Sequence, residues 1–271
     1  MSDKYKNRDK KSNNLNFMNM SVSNRSVIHY TSEYKTLCSI LKDRAFLPSF
    51  CNETIKIDNN NTQHFAVAQV SFCDIPFSQI KQHVDSYGSY AIGLSKNWAN
   101  LKHLNPVQYV GMDTPVTTAL KFMTDYLFMQ NDSTKFDSSS TYILESLKKQ
   151  LSFMKHHTDD LYREKEIIQN YVFYNEREWR YVPDNFEEYI KFINPEWDTI
   201  QIRQYKNEWN KELRNKNINL EFNFKDITYI ILKNNIECRN FFLFCQEEFS
   251  HDELLELVTK IVTIESIQND F

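Results

Sequence analysis

The stretch Ser26-Val27-Ile28-His29-Tyr30-Thr31 is rich in β-branched and aromatic residues and predicts a first strand. Ser32 then stands where a helix would be capped, and Leu37, Ile40 and Leu41 fall on one face of that helix before Pro48. Residues 52–64 are polar and predict a loop. The run Ala66-Val67-Ala68-Gln69-Val70-Ser71-Phe72-Cys73 predicts a strand, and Asp74-Ile75-Pro76 opens a short helix through Val84 that Gly88 stops. A strand over 89–94, a helix from Ser95 through Trp98 and Leu101, and a strand over 106–110 complete a strand-helix-strand-helix-strand block.

Beyond Gly111 the period lengthens to that of amphipathic helices, over 115–129 and 142–156, joined by a Ser/Asp-rich linker at 131–140. Phe122, Tyr126, Leu127, Leu147, Leu151 and Phe153 exceed what one helical hairpin buries internally, which predicts a lobe outside the sheet that presents a partner surface. A helix over 164–170, a strand over 177–182, surface helices over 183–192 and 202–215, and a strand over 227–232 follow. The pattern ends with helices over 236–247 and after a cap at Ser250 or Asp252, then a strand over 261–264. The expected fold is α+β: one domain over 25–271 around a central mixed sheet, with a helical insertion at about 113–165. Residues 1–24 are Lys, Asn and Ser with little apolar content and read as a flexible leader.

Composition narrows the function. With 41% apolar and 14% aromatic residues a sizeable core is available, and the net charge of −4 with interleaved signs disfavours nucleic acid as a partner. All three glycines, Gly88, Gly93 and Gly111, fall in one block, marking it as a region of specified backbone. Five dispersed cysteines without a C-x-x-C pair signal neither a disulfide framework nor a zinc site, and they predict reduced thiols in a cytoplasmic protein. No apolar run approaches a membrane span.

Three ordered blocks, Val70-Ser71-Phe72-Cys73-Asp74-Ile75-Pro76, Tyr87 through Trp98 and Asn105-Pro106-Val107-Gln108-Tyr109, resemble the AbiGi family of abortive phage-resistance proteins, which carries an antitoxin label. The resemblance runs from about His29 to the C-terminus. It implies a role in phage defence and, for an antitoxin, a protein partner, either a cognate toxin or a phage component.

A second resemblance concerns chemistry. His29-Tyr30-Thr31 is similar to the H-x-T element of ADP-ribosyltransferases, which implies that His29 bonds a ribose hydroxyl of NAD and that Thr31 fixes the turn. Glu176 and Glu178, two apart, place both carboxylates on one face if they share a strand, and they resemble the E-x-E element of the same enzymes. Glu178 would then stabilise the charge that develops as nicotinamide leaves, with Glu176 orienting the acceptor. Arg180, on the same face, lowers both carboxyl pKa values or clamps a ligand phosphate. The tyrosine that stacks on nicotinamide comes from Tyr87 or Tyr90, with Tyr90 preferred because it precedes a strand. Plainer alternatives stand beside these: His29 as a half-buried histidine bonding a carbonyl, and 176–180 as an exposed charged edge. His156-His157 with Asp159 and Asp160 is not read as a metal site, and no P-loop, Rossmann fingerprint, G-x-S-x-G or H-E-x-x-H occurs. Two functions follow, an NAD-using ADP-ribosyltransferase-like effector or NAD hydrolase, and a non-catalytic antitoxin that neutralises a partner toxin.

Overall fold

The computed structural model describes residues 25–131, 138–162, 167–184 and 188–270. The segment 1–24 and most of the predicted linker lie outside them. In chain order the elements are β1 (Ser26–Thr31), α1 (Tyr34–Asp43), β2 (Ala45–Phe46), β3 (Ser49–Asp58), β4 (Asn61–Cys73), α2 (Ile80–Tyr87), β5 (Tyr90–Ser95), α3 (Lys96–Leu101), β6 (Asn105–Pro106) and β7 (Gln108–Val110). Then come α4 (Pro115–Asn131), α5 (Ser138–Ser152), β8 (Met154–His156), β9 (Thr158–Tyr162), β10 (Ile167–Val172), β11 (Glu178–Tyr181) and β12 (Ile190–Phe192). The last part holds α6 (Thr199–Asn215), β13 (Leu220–Glu221), β14 (Ile227–Leu232), α7 (Asn235–Glu248), α8 (His251–Val258), β15 (Ile261–Thr263) and α9 (Ile264–Asp270).

The central sheet runs β15-β14-β5-β1-β4-β11-β6, and β3 and β12 also pair with β4. It is mixed, because β14 and β15 are parallel while β1, β4, β5 and β11 pair antiparallel. The fold is therefore α+β, as the pattern predicts. Alternation along the strands sorts their side chains between two cores: Val27, Ile92, Leu94, Val70 and Phe72 pack with Leu37, Leu41, Trp98, Phe241 and Leu257 on one face. Ile28, Ala91, Cys73 and Ile231 pack with Ile80, Val84, Ile264 and Ile267 on the other.

Local chemistry ends several elements where expected. Ser95 Oγ accepts from Trp98 N to cap α3, and Ser250 with Glu253 forms a capping box at α8. Gly88 ends α2 at φ +112°, and a Cβ there would lie 2.4 Å from both Thr31 O and Ser32 Cα. These are backbone atoms with no room to yield. Gly88→Ala is expected to cost on the order of 2–5 kcal/mol through strain and overpacking, read as a lower urea midpoint.

Four local readings are overturned. Residues 52–64 are not a loop but most of the β3–β4 hairpin, with Ile55 and Ile57 buried at alternate positions and the Asn-rich turn held by Asp58 Oδ1, which accepts from Asn60 N and Asn61 Nδ2. Residues 167–170 belong to β10, paired with β9, and 190–192 to β12, paired with β4, instead of helices. Residues 154–156 form β8 beside β7. β8 and β12 are decided by strand partners far along the chain, and 52–64 and 167–170 by hairpin partners close to them; in each case strand pairing overrides the local propensity.

The inner faces of α4 and α5 share a core with the hairpin: Leu120, Leu147 and Leu151 pack with Ile55, Ile57, Phe65 and Val67. Phe153 packs partly buried against the same cluster. Phe122, Tyr126, Tyr142 and Ile143 stay exposed on the outside, and of Leu127 only the backbone is described.

Candidate functional site

Strand β4 is long enough to take two neighbours in succession along one edge. β3 runs beside it up to Gln69, opposite Ser49, and β1 meets it at a single position, Ile28 against Cys73. β11 and β12 occupy the opposite edge. Backbone groups of alternate residues point to opposite edges of a strand, so the Ser71 carbonyl faces the interval between β3 and β1, and His29 Nδ1 donates to it at 2.8 Å. At this break a cleft of about 870 Å³ opens, lined by Ile28, His29 and Tyr30 on one side and by hairpin residues such as Thr54, Lys56 and His64 on the other. Ligand pockets typically span about 300–1,000 Å³.

Its charged floor is made by an abrupt change of backbone. Phe173–Glu176 is a 3-10 turn, Arg177 adopts φ 45°, and only then does β11 begin at Glu178. Glu176 and Glu178 therefore do not share a strand. The left-handed Arg177 nevertheless returns both carboxylates to one place, where Lys155 Nζ donates to Glu176 Oε2 and Glu178 Oε2, each at 2.9 Å.

Around this lysine the network is closed. Glu178 Oε1 accepts from Ser71 Oγ at 2.7 Å and from Arg180 Nε at 3.0 Å, and Glu178 Oε2 also accepts from Arg180 Nη2 at 3.2 Å. Arg180, with no exposed surface, further donates to Glu53 Oε1 at 2.7 Å and to the Ser152 carbonyl at 2.7 Å. Tyr87 OH donates to Glu176 Oε1. Glu53, Glu176 and Glu178 thus face two cations, all largely out of water.

Burial by itself pushes the Glu178 carboxyl up, but the Arg180 and Lys155 charges and the bonds from Arg180 and Ser71 outweigh it and hold Glu178 well below the usual carboxylate range. Burial likewise works against the Lys155 ammonium, and Glu178, Glu176 and Glu53 overcome it to raise that group well above its ordinary value. Burial wins at Glu53, whose carboxyl is raised despite Arg180 and Lys155. It also lowers His29 against its bond to Ser71, so the imidazole is neutral near pH 7 and carries its proton on Nδ1.

The raised Glu53 gives a signed expectation. A carboxyl whose folded pKa exceeds its unfolded one contributes stability below the unfolded pKa and loses it as pH rises through the folded one. Glu53→Gln mimics the protonated form, and among the bonds described only Oε1 of Glu53 accepts, so the amide oxygen can keep those bonds. The variant is expected to match wild type near pH 4 and to exceed it by about 1 kcal/mol at pH 8 in urea unfolding.

Of the residues singled out by sequence, His29, Glu176 and Glu178 line the cleft together. Tyr90 does not: its hydroxyl donates to Glu237 Oε1 at 2.7 Å, its ring lies against Tyr34, and burial followed by Glu237 pushes its pKa up to about 12. Tyr87 lines the cleft instead, its ring stacked on His83. Thr31 Oγ1 accepts from Glu33 N at 3.4 Å in the turn after β1 and is not among the lining residues. Arg180 lies beneath the floor, fully engaged, which removes it as a phosphate clamp; nor is 176–180 an exposed edge, since Glu176, Glu178 and Arg180 are buried. Lys155, Glu53, Ser71 and Gln69 do not stand out in the sequence: 52–64 reads as loop, Lys155 as the end of a helix, and Gln69 and Ser71 as ordinary positions of a strand. His156 ends β8 and bonds the Lys56 carbonyl, and His157 follows it, stacked on Tyr174.

A mixed-sheet α+β protein whose sheet is broken over a cleft floored by buried, paired carboxylates and cations is the class that these observations define. The chain belongs to the AbiGi family: the family described as "Putative abortive phage resistance protein AbiGi, antitoxin" matches residues 44–233. That range includes every floor residue from Glu53 to Arg180 and excludes His29 and Thr31. The chain is also 26% identical over 250 residues to "Abortive phage resistance protein AbiGi" of Lactococcus lactis subsp. cremoris, covering 84% of this chain and 100% of that protein. No solved structure matches it. Among the described residues no helix is long and apolar enough to cross a membrane.

Proposed function

We propose that this chain acts in abortive phage resistance by cleaving the nicotinamide–ribose bond of NAD in the cleft at the sheet break. The observation that carries this reading is the meeting of His29, Tyr87, Glu176 and Glu178 on one cleft, although they come from separate parts of the chain. On this reading the C1′–N bond breaks heterolytically and its electron pair stays with the nicotinamide ring nitrogen. Glu178 stabilises the positive charge left on the ribose. Water or an acceptor nucleophile then bonds to C1′, and its proton passes to Glu176. Lys155 lines the cleft and donates to both carboxylates, so on this reading substrate binding displaces it from Glu178. The test is incubation of the purified protein with NAD, alone and with phage lysate, following free nicotinamide. Release above a buffer control supports the reading, and its absence under every condition overturns it.

A second reading, a non-catalytic antitoxin, is favoured by the family description and by the exposed Phe122, Tyr126, Tyr142 and Ile143 on α4 and α5. There the partner is a toxin docked on the outer helical face. Phe122→Ser with Tyr142→Ser then abolishes co-purification of the co-expressed cognate toxin while nicotinamide stays at background.

A further inference from the structure

The charged network satisfies its own members, yet the walls around it do not. Among the described residues seven buried side-chain atoms have no hydrogen-bond partner in the protein, and three of them, Tyr30 OH, Gln69 Oε1 and His156 Nδ1, belong to residues that line the one cleft. Gln69 and His156 are 4% and 5% exposed. Buried polar groups are nearly always paired, and several unpaired ones gathered in one cavity point to what enters it.

The polarity of each atom is readable from its neighbours. Gln69 Nε2 donates to Ser71 Oγ at 3.1 Å and, more weakly, to Glu53 Oε1 at 3.4 Å, which leaves its carbonyl oxygen as an open acceptor. His156 Nε2 lies 3.1 Å from the Lys56 carbonyl, which only accepts, so Nε2 carries the proton and Nδ1 is an open acceptor too. Both demand a donor. Burial raises the Tyr30 phenol well above its ordinary pKa, so it remains a neutral hydroxyl able to serve either way.

We infer that Gln69 and His156 are specificity-determining residues that accept hydrogen bonds from the hydroxyl or amino groups of a nucleotide ligand in this cleft. This rests on the NAD reading for the ligand's class, but the two residues play no part in bond cleavage. A ligand carrying donors at matching points supplies the hydrogen bonds that these acceptors lack. A ligand with a carbonyl acceptor at such a point leaves two acceptors facing each other and is rejected, which is how a polar site discriminates more sharply than an apolar one.

The experiment measures binding of ADP-ribose, its hypoxanthine analogue and ADP by calorimetry to wild type, Gln69→Met and His156→Phe, with thermal unfolding of each free protein. Each variant is expected to lose about ten-fold or more in ADP-ribose affinity while its free form unfolds within a few degrees of wild type. Weaker wild-type binding of the hypoxanthine analogue assigns the amino group as donor, and weaker binding of ADP assigns the distal ribose hydroxyls. A merely structural role predicts lost stability instead. ADP-ribose affinity unchanged in both variants, equal wild-type affinity for all three ligands, or no binding at all overturns the inference. Specific binding without nicotinamide release overturns only the catalytic reading, whereas release with unaltered affinities overturns only this one.

Discussion

Glu178→Gln is expected to slow nicotinamide release by on the order of 10² or more, and at the same time to destabilise the fold by about 3 kcal/mol. The first effect follows from losing the charge that opposes the developing cation. The second is dictated by burial: Glu178 is 4% exposed and accepts from Arg180, Ser71 and Lys155 with both oxygens. A carboxamide offers one acceptor and one donor there, so its donor must face Ser71, Lys155 or Arg180. Sequence alone, which leaves room for a partly exposed Glu178, gives no reason for such a loss. Its pH dependence has a definite sign, because a carboxyl held below its ordinary pKa contributes stability above the unfolded value and loses it as pH falls toward the folded one. The gap between wild type and variant is thus widest near pH 7.5 and narrows below pH 4. Release is compared at a temperature where circular dichroism shows both proteins folded. Equal release by the two folded proteins removes Glu178 from catalysis, and equal urea midpoints at pH 7.5 contradict the closed network.

Arg180→Met is expected to be the most damaging single change, at about 3–5 kcal/mol, since it leaves Glu53 and Glu178 buried together without the guanidinium between them. Arg180→Lys does not rescue it. An ammonium cannot span Glu178, Glu53 and the Ser152 carbonyl as the planar fork does. Because the cost is one of uncompensated charge, adding Glu53→Gln to Arg180→Met should recover about 2 kcal/mol or more, beyond the gain of about 1 kcal/mol that Glu53→Gln brings to wild type at the same pH, a coupling visible in a double-mutant cycle by urea unfolding. Strict additivity of the two changes would place the cost in lost packing around the arginine stem instead.

What the sequence determined by itself is the part of the molecule that local chemistry governs. Strands at 26–31 and 227–232 follow from β-branched runs, α3 and α8 from their serine caps, and the end of α2 from Gly88. The α+β class follows from that order of elements, and His29, Glu176 and Glu178 stand out through the spacing of their motifs. The tertiary structure alone decided that Glu176 and Glu178 meet through the left-handed Arg177 and not through a shared strand. It likewise replaced Tyr90 by Tyr87, sank Arg180 beneath the cleft and brought in Lys155 and Glu53. The reason is physical: Glu53 and Arg180 are 127 positions apart and touch only because β3 and β11 take opposite edges of β4. A charged residue looks solvated in any local window, and whether it is buried and paired depends on strand partners that no local pattern specifies.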